Sequence, residues 1–178
     1  MRRWLMTSVV TEVTLLAWLM AAVSAFAGSA FSAGARPATG GDTDRSIRGQ
    51  SADATSTIVQ EITAAFAATP TIGGLGDAVE ASRTTFSTAE AIEFDAILFE
   101  SGLAGTRANL QLNIFDPKGR LVTGSFLFTG VTAPSDRTGF FITLSPGSVP
   151  AGRLNWLMVI FDAFGNSFVT PFQALEVR

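Results

Sequence analysis

The chain has 178 residues, 47% of them hydrophobic, and 12 Lys+Arg against 15 Asp+Glu give a formal net charge of −3. It contains no cysteine, no histidine and no tyrosine. Disulfides, thiol nucleophiles and thiolate metal sites are therefore excluded, the usual general base near neutral pH is missing, and no basic patch offers a footprint for nucleic acid.

The N-terminal stretch reads as an export segment. Met1-Arg2-Arg3 is a short basic start, and no charge occurs between Glu12 and Arg36. The apolar run Leu15 to Val23 leads into Ser24-Ala25-Phe26-Ala27, small residues suited to a cleavage site. Two readings stand open. A peptidase cuts after Ala27, leaving Gly28 as the new N-terminus, or the chain is anchored by residues 8–31, with Val13 to about Phe31 staying in the bilayer as a helix of spanning length. Glu12 falls at the edge of that span, where a carboxylate sits at headgroup depth. Either way the chain is expected outside the cytoplasm: periplasmic, secreted or on the cell surface. A Glu at the start of an apolar N-terminal helix also resembles type IV pilins and archaellum stator subunits over residues 1–30, although Leu5-Met6-Thr7 does not match a pilin leader.

Residues 28–56 are small, polar and charged, with Ile47 the only large aliphatic beyond Phe31. Such a composition cannot bury enough surface to offset ordering, so a flexible linker is expected. A β-domain is expected over 57–178. Ile58, Ile62 and Phe66 suit one face of a helix or one side of a strand; a first strand is favoured, ended by Pro70. Gly73-Gly74-Leu75-Gly76 lacks the context of a phosphate loop and reads as a loop between two halves of an edge strand.

Beyond Thr85 the alternation is plain. Ile92 to Phe99 and Ala108 to Ile114 read as strands. Asp116-Pro117-Lys118-Gly119 is a tight reversal. Leu121 to Thr129, Gly139 to Leu144, Leu154 to Asp162 and Ser167 to Val177 follow, with Pro171 marking a break in the last. Six or seven strands at this spacing indicate a sandwich or barrel.

Glu93 and Asp95 fall on one face of their strand, about 7 Å apart. Paired carboxylates could serve hydrolysis or part of a calcium site; the favoured expectation is a solvated sheet face. Asp162 and Asn166 read as turn residues. No catalytic, cofactor or metal residue is assigned. Leu154, Trp156, Met158 and Ile160 are expected to face the core, which turns Leu157, Val159 and Phe161 outward. Val122, Phe126 and Phe128 are expected to extend that outer face, giving a partner surface of six apolar residues. The favoured alternative is that residues 57–80 fold over that face and cover it.

The stretch Thr85 to Val177 resembles a bacterial immunoglobulin-like or macroglobulin-like β-sandwich module. The resemblance rests on Thr85 to Ile92, on Phe115-Asp116-Pro117-Lys118-Gly119, on Pro150-Ala151-Gly152, and on Phe161 to Asn166. It implies an all-β, immunoglobulin-like antiparallel sandwich behind the N-terminal helix and linker, and it carries no common catalytic residues. The expected function is a non-catalytic envelope module for protein interaction or scaffolding, partnered by an envelope protein or by itself. The alternative is a filament subunit held in the membrane by an uncleaved N-terminal helix.

Overall fold

The computed structural model describes residues 31–38, 61–71, 73–99, 102–123, 125–163 and 167–178. The expected export helix lies outside them. The strands are β1 (Phe31–Pro37), β2 (Glu61–Ala68), β3 (Thr85–Phe86), β4 (Ile92–Phe99), β5 (Arg107–Phe115), β6 (Phe126–Thr132), β7 (Thr138–Leu144), β8 (Gly152–Asp162), β9 (Ser167–Val169) and β10 (Gln173–Val177). One short helix, α1 (Leu75–Glu80), separates β2 from β3.

Two sheets form. The first has the order β1-β7-β4-β2, and all its pairings are antiparallel. The second runs β3-β10-β8-β5-β6, with β9 also on β8. Within it only β3, paired parallel to β10, departs from the antiparallel pattern.

The alternation expected from Ala108 to Ile114 is the alternation observed: Ala108, Leu110, Leu112 and Ile114 are buried and belong to the core. Leu154, Trp156, Met158 and Ile160 meet them from the neighbouring strand β8. From the opposite sheet come Phe94, Phe140 and Ile142. Phe94 meets Trp156 edge-on, with ring centroids 5.0 Å apart, an arrangement favoured by the ring quadrupoles.

The reversal at Pro117 and the break at Pro171 both take the expected form. Gly119 N–H donates to the Asp116 carbonyl at 2.9 Å, and Gly119 adopts φ +78°. Asp116 Oδ1 accepts from the Lys118 and Arg120 amides at 2.8 and 3.0 Å, tying the turn. Those amides hold the Asp116 carboxyl below its ordinary pKa, the Arg120 amide most of all, helped by the Arg120 side chain. At Pro171 the last strand breaks into β9 and β10. Thr170 N–H still donates to the Met158 carbonyl at 3.0 Å, while the Met158 amide donates to Thr170 Oγ1 at 2.9 Å. A buried hydroxyl thus stands in for a ladder carbonyl.

Four expectations are corrected. Phe31–Pro37, placed in the flexible linker 28–56, forms β1 and pairs over seven residues with β7. The Gly73-Gly74 loop leads into α1 and connects strands of different sheets. The strand expected from Leu121 starts at Phe126; Leu121 makes only an isolated bridge to Phe115. The described residues of 57–80, 61–71 and 73–80, do not cover the outer face of β8. Instead Leu75 and Val79 of α1 pack with Ile97, Ala64 and Phe66 on the outer face of the first sheet. Gly139 lies directly beneath Leu75, where a Cβ would come within 3.1 Å of both Leu75 methyls.

Candidate functional site

Two features could carry function: a buried charge cluster on the first sheet and an apolar face on the second. The cluster forms on the outer surface of the first sheet, where the pleat brings Glu93 and Asp95 of β4 to the same side. In register with Asp95 are Phe66 of β2 and Phe141 of β7. Arg36 comes from β1, two strands away across β7. Its guanidinium lies over the Phe141 ring, 4.3 Å from the centroid. From there it pairs with Glu93 and, at 3.2 Å, with Asp95 Oδ1. Thr143 Oγ1 adds a hydrogen bond to Glu93 Oε2 at 3.3 Å.

The expected solvated carboxylates are therefore buried: Glu93 is 3% exposed and Asp95 0%. The reason is tertiary, since Arg36, Phe141 and the elements beside them close over a face that alternation alone assigns to water. Asp95 Oδ2 and Arg36 Nε are buried without a hydrogen-bond partner. Burial pushes the Asp95 carboxyl well above the ordinary carboxylate range; the charge of Glu93 adds to this, and Arg36 pulls against both. One cation serves two carboxylates, and burial favours the neutral form of Asp95, the deeper of the two.

This arrangement fits a structural lock better than a hydrolytic dyad. An acid–base pair needs access to substrate, and neither carboxylate lines the open cleft of about 400 Å³ beside Thr84, Pro117, Arg153 and Glu176. Among the described residues, no group of three or more acidic, His or Cys side chains could hold a metal ion.

The second feature is the outer face of the other sheet. Leu157, Val159 and Phe161 point away from the core and are half-buried. Val122 is exposed. Phe126 and Phe128, expected beside them, instead pack against the core. Their partners across the ladder, Leu112 and Leu110, are core residues, and that pairing fixes which side of β6 faces in. Leu127 takes the outward place and is 41% exposed. Register aligns Leu127, Gln111, Val159 and Val169 in one row across four strands. Beside the apolar stripe of β8 runs a polar one on β5. There Gln111 donates to Asn113 Oδ1 at 3.1 Å, and Asn109 Oδ1 accepts from the Gly130 amide at 3.1 Å. Phe172, 64% exposed, stacks edge-on against Phe115 at 5.5 Å. Sequence reasoning missed Arg36, Leu127 and Val169; the outward phase of Leu127 follows from its strand neighbours once β6 is known to begin at Phe126.

The strand order defines the class. One sheet carries β2-β4-β7, the other β10-β8-β5-β6, with β3 at the edge parallel to β10: this is the order of an immunoglobulin-like sandwich. Its departure is β1, which fills the edge beside β7 from upstream of the domain. No family model and no curated protein matches the sequence. Among solved structures, an immunoglobulin-like protein from Pseudomonas aeruginosa is similar, at 17% identity over 54% of this chain and 79% of that chain, with a TM-score of 0.34.

Proposed function

We propose that the chain is an exported, non-catalytic β-sandwich that acts by holding a protein partner in the cell envelope. The observation that carries this reading is the row Leu127, Gln111, Val159, Val169 on the outer face of the second sheet, flanked by Leu157 and Phe161. An apolar stripe bordered by amide side chains has the anatomy of a protein contact, with a dry centre and a polar rim. The non-catalytic part is supported by the lack of histidine and cysteine and by the engagement of the deepest carboxylates with Arg36. Export is supported by the basic, apolar and small-residue order of residues 1–27.

The test is a comparison of Val159→Arg and wild type, each crosslinked in its native envelope and retrieved. Val159→Arg is expected to lose the wild-type partner while keeping stability within about 0.5 kcal/mol, as for other surface substitutions. An unchanged partner set, or a variant that fails to fold, would sink the proposal. Mass spectrometry of the same material reads whether residues 1–27 remain.

A further inference from the structure

The cleft of about 400 Å³ lies at one end of the outer face of the second sheet. On β8 the buried Leu154, Trp156, Met158 and Ile160 alternate with Arg153, Asn155, Leu157, Val159 and Phe161, so these five share the outward side. The face therefore runs from a cationic end at Arg153 to an apolar end at Phe161, about 27 Å along the strand. Cleft and apolar stripe are two parts of one surface.

Register builds the cleft. Across β10, Glu176 lies opposite Arg153 and Ala174 opposite Asn155; from β5, Phe115 flanks Asn155. Ala174 is exposed and gives the floor only a methyl, while Thr84 stands on the β3 side and Pro117 on the β5 side. Phe172, packed on Phe115, brings an apolar ring beside it. The charges are unbalanced. Glu176 is held by Arg178, with Nε 3.3 Å from Oε1. Asp116, next to Pro117, is held by Arg120, and Glu90 by Arg83, next to Thr84. Arg153 is left lining the cleft with no carboxylate partner among the described residues. A planar guanidinium beside the Asn155 amide matches a carboxylate in shape as well as in charge.

We propose that this cleft anchors the partner: it takes an acidic side chain of the partner protein, whose adjoining apolar residues lie along Phe172, Leu157 and Val159. The proposal rests on the reading of the outer face as a protein contact, and adds the chemistry that the face selects, a carboxylate next to apolar residues. Arginine in a concave site with apolar neighbours suits an anchor of this kind, because those neighbours keep water from the ion pair.

The probe is a synthetic peptide, Glu-Leu-Val-Leu, rhodamine-labelled at its N-terminus and amidated at its C-terminus, titrated with the full chain and read by fluorescence anisotropy. It is expected to bind at least about fivefold more tightly than Gln-Leu-Val-Leu prepared alike, as a charge-assisted hydrogen bond allows. Arg153→Gln is expected to remove that preference. Ala174→Leu, which fills the cleft and keeps the cation, is expected to weaken binding by a similar factor. Equal binding of the two peptides, a preference that survives Arg153→Gln, full affinity in Ala174→Leu, or displacement of the peptide by equimolar inorganic phosphate overturns the proposal. Crosslinking in the native envelope separates it from the reading it rests on, since Arg153→Gln is expected to lose the partner along with Val159→Arg. Where Val159→Arg loses the partner and Arg153→Gln keeps it, the apolar face stands and the anchor fails; where both keep it, both fail.

Discussion

Arg36 shows how one side chain ties the fold together. It is held by two carboxylates and an aromatic face contributed by β4 and β7. Removing one partner of a buried ion pair strands the other, at a cost of about 3–5 kcal/mol. Arg36→Met is therefore expected to lose about that much stability in urea titrations at pH 7. Asp95 makes stability depend on pH. Its folded pKa is raised, so the folded state keeps a proton that the unfolded chain gives up at ordinary carboxylate pH. Its contribution is full below that range and is lost as pH rises toward the folded value. Asp95→Asn keeps the uncharged shape. The expected result is a flatter stability profile from pH 4 to 7, with no loss at pH 7 relative to wild type; a variant weaker at pH 7 than at pH 4 would refute it.

At the level of elements, the strands differ in how openly their sequences announce them. β5 was legible because apolar and polar residues alternate from Ala108 to Ile114. β8 was legible because it is a long, mostly apolar run, Leu154 to Phe161, bounded by turn residues. β1 was not: Ser32-Ala33-Gly34-Ala35 has neither β-branched residues nor a hydrophobic rhythm. Its strand state is imposed by β7, more than one hundred residues away. Gly34→Ala is accordingly expected to loosen β1 alone. Hydrogen exchange would show lost protection along β1 and the facing edge of β7, with β5 and β8 unchanged. The break at Pro171 makes a second test. Thr170→Val leaves the buried Met158 amide without its acceptor, a loss of about 1–3 kcal/mol, visible as a lower denaturation midpoint with unchanged slope.

Across the whole molecule, stability without disulfides rests on the contact between the two sheets. Phe94 and Trp156 form its aromatic centre, each 1% exposed or less. Phe94→Ala is expected to cost about 3–5 kcal/mol. Trp156 packs on Phe94, so its fluorescence reports that loss in a background where Trp4 and Trp18 are replaced by Phe. The sandwich was legible from strand spacing and turn residues, because both are local. The charge cluster was half legible. The common side of Glu93 and Asp95 follows from strand period, but the cation that buries them is 57 residues upstream of Glu93 and no local pattern points to it. Phe126 and Phe128 show the same limit: their spacing gives a shared side, and only the pairing with Leu112 and Leu110 says which side it is.

The placement of β1 also has a mechanical consequence. A pull on the chain ahead of Phe31 enters β1 first and passes through its hydrogen bonds into β7, not along the covalent chain toward β2. Drawn along its axis, the seam carries load over all seven paired residues together. When it yields, force reaches β2 and the sandwich behind it. The edge strand is then the first element to take the load, and its release would strip Arg36 from Glu93 and Asp95.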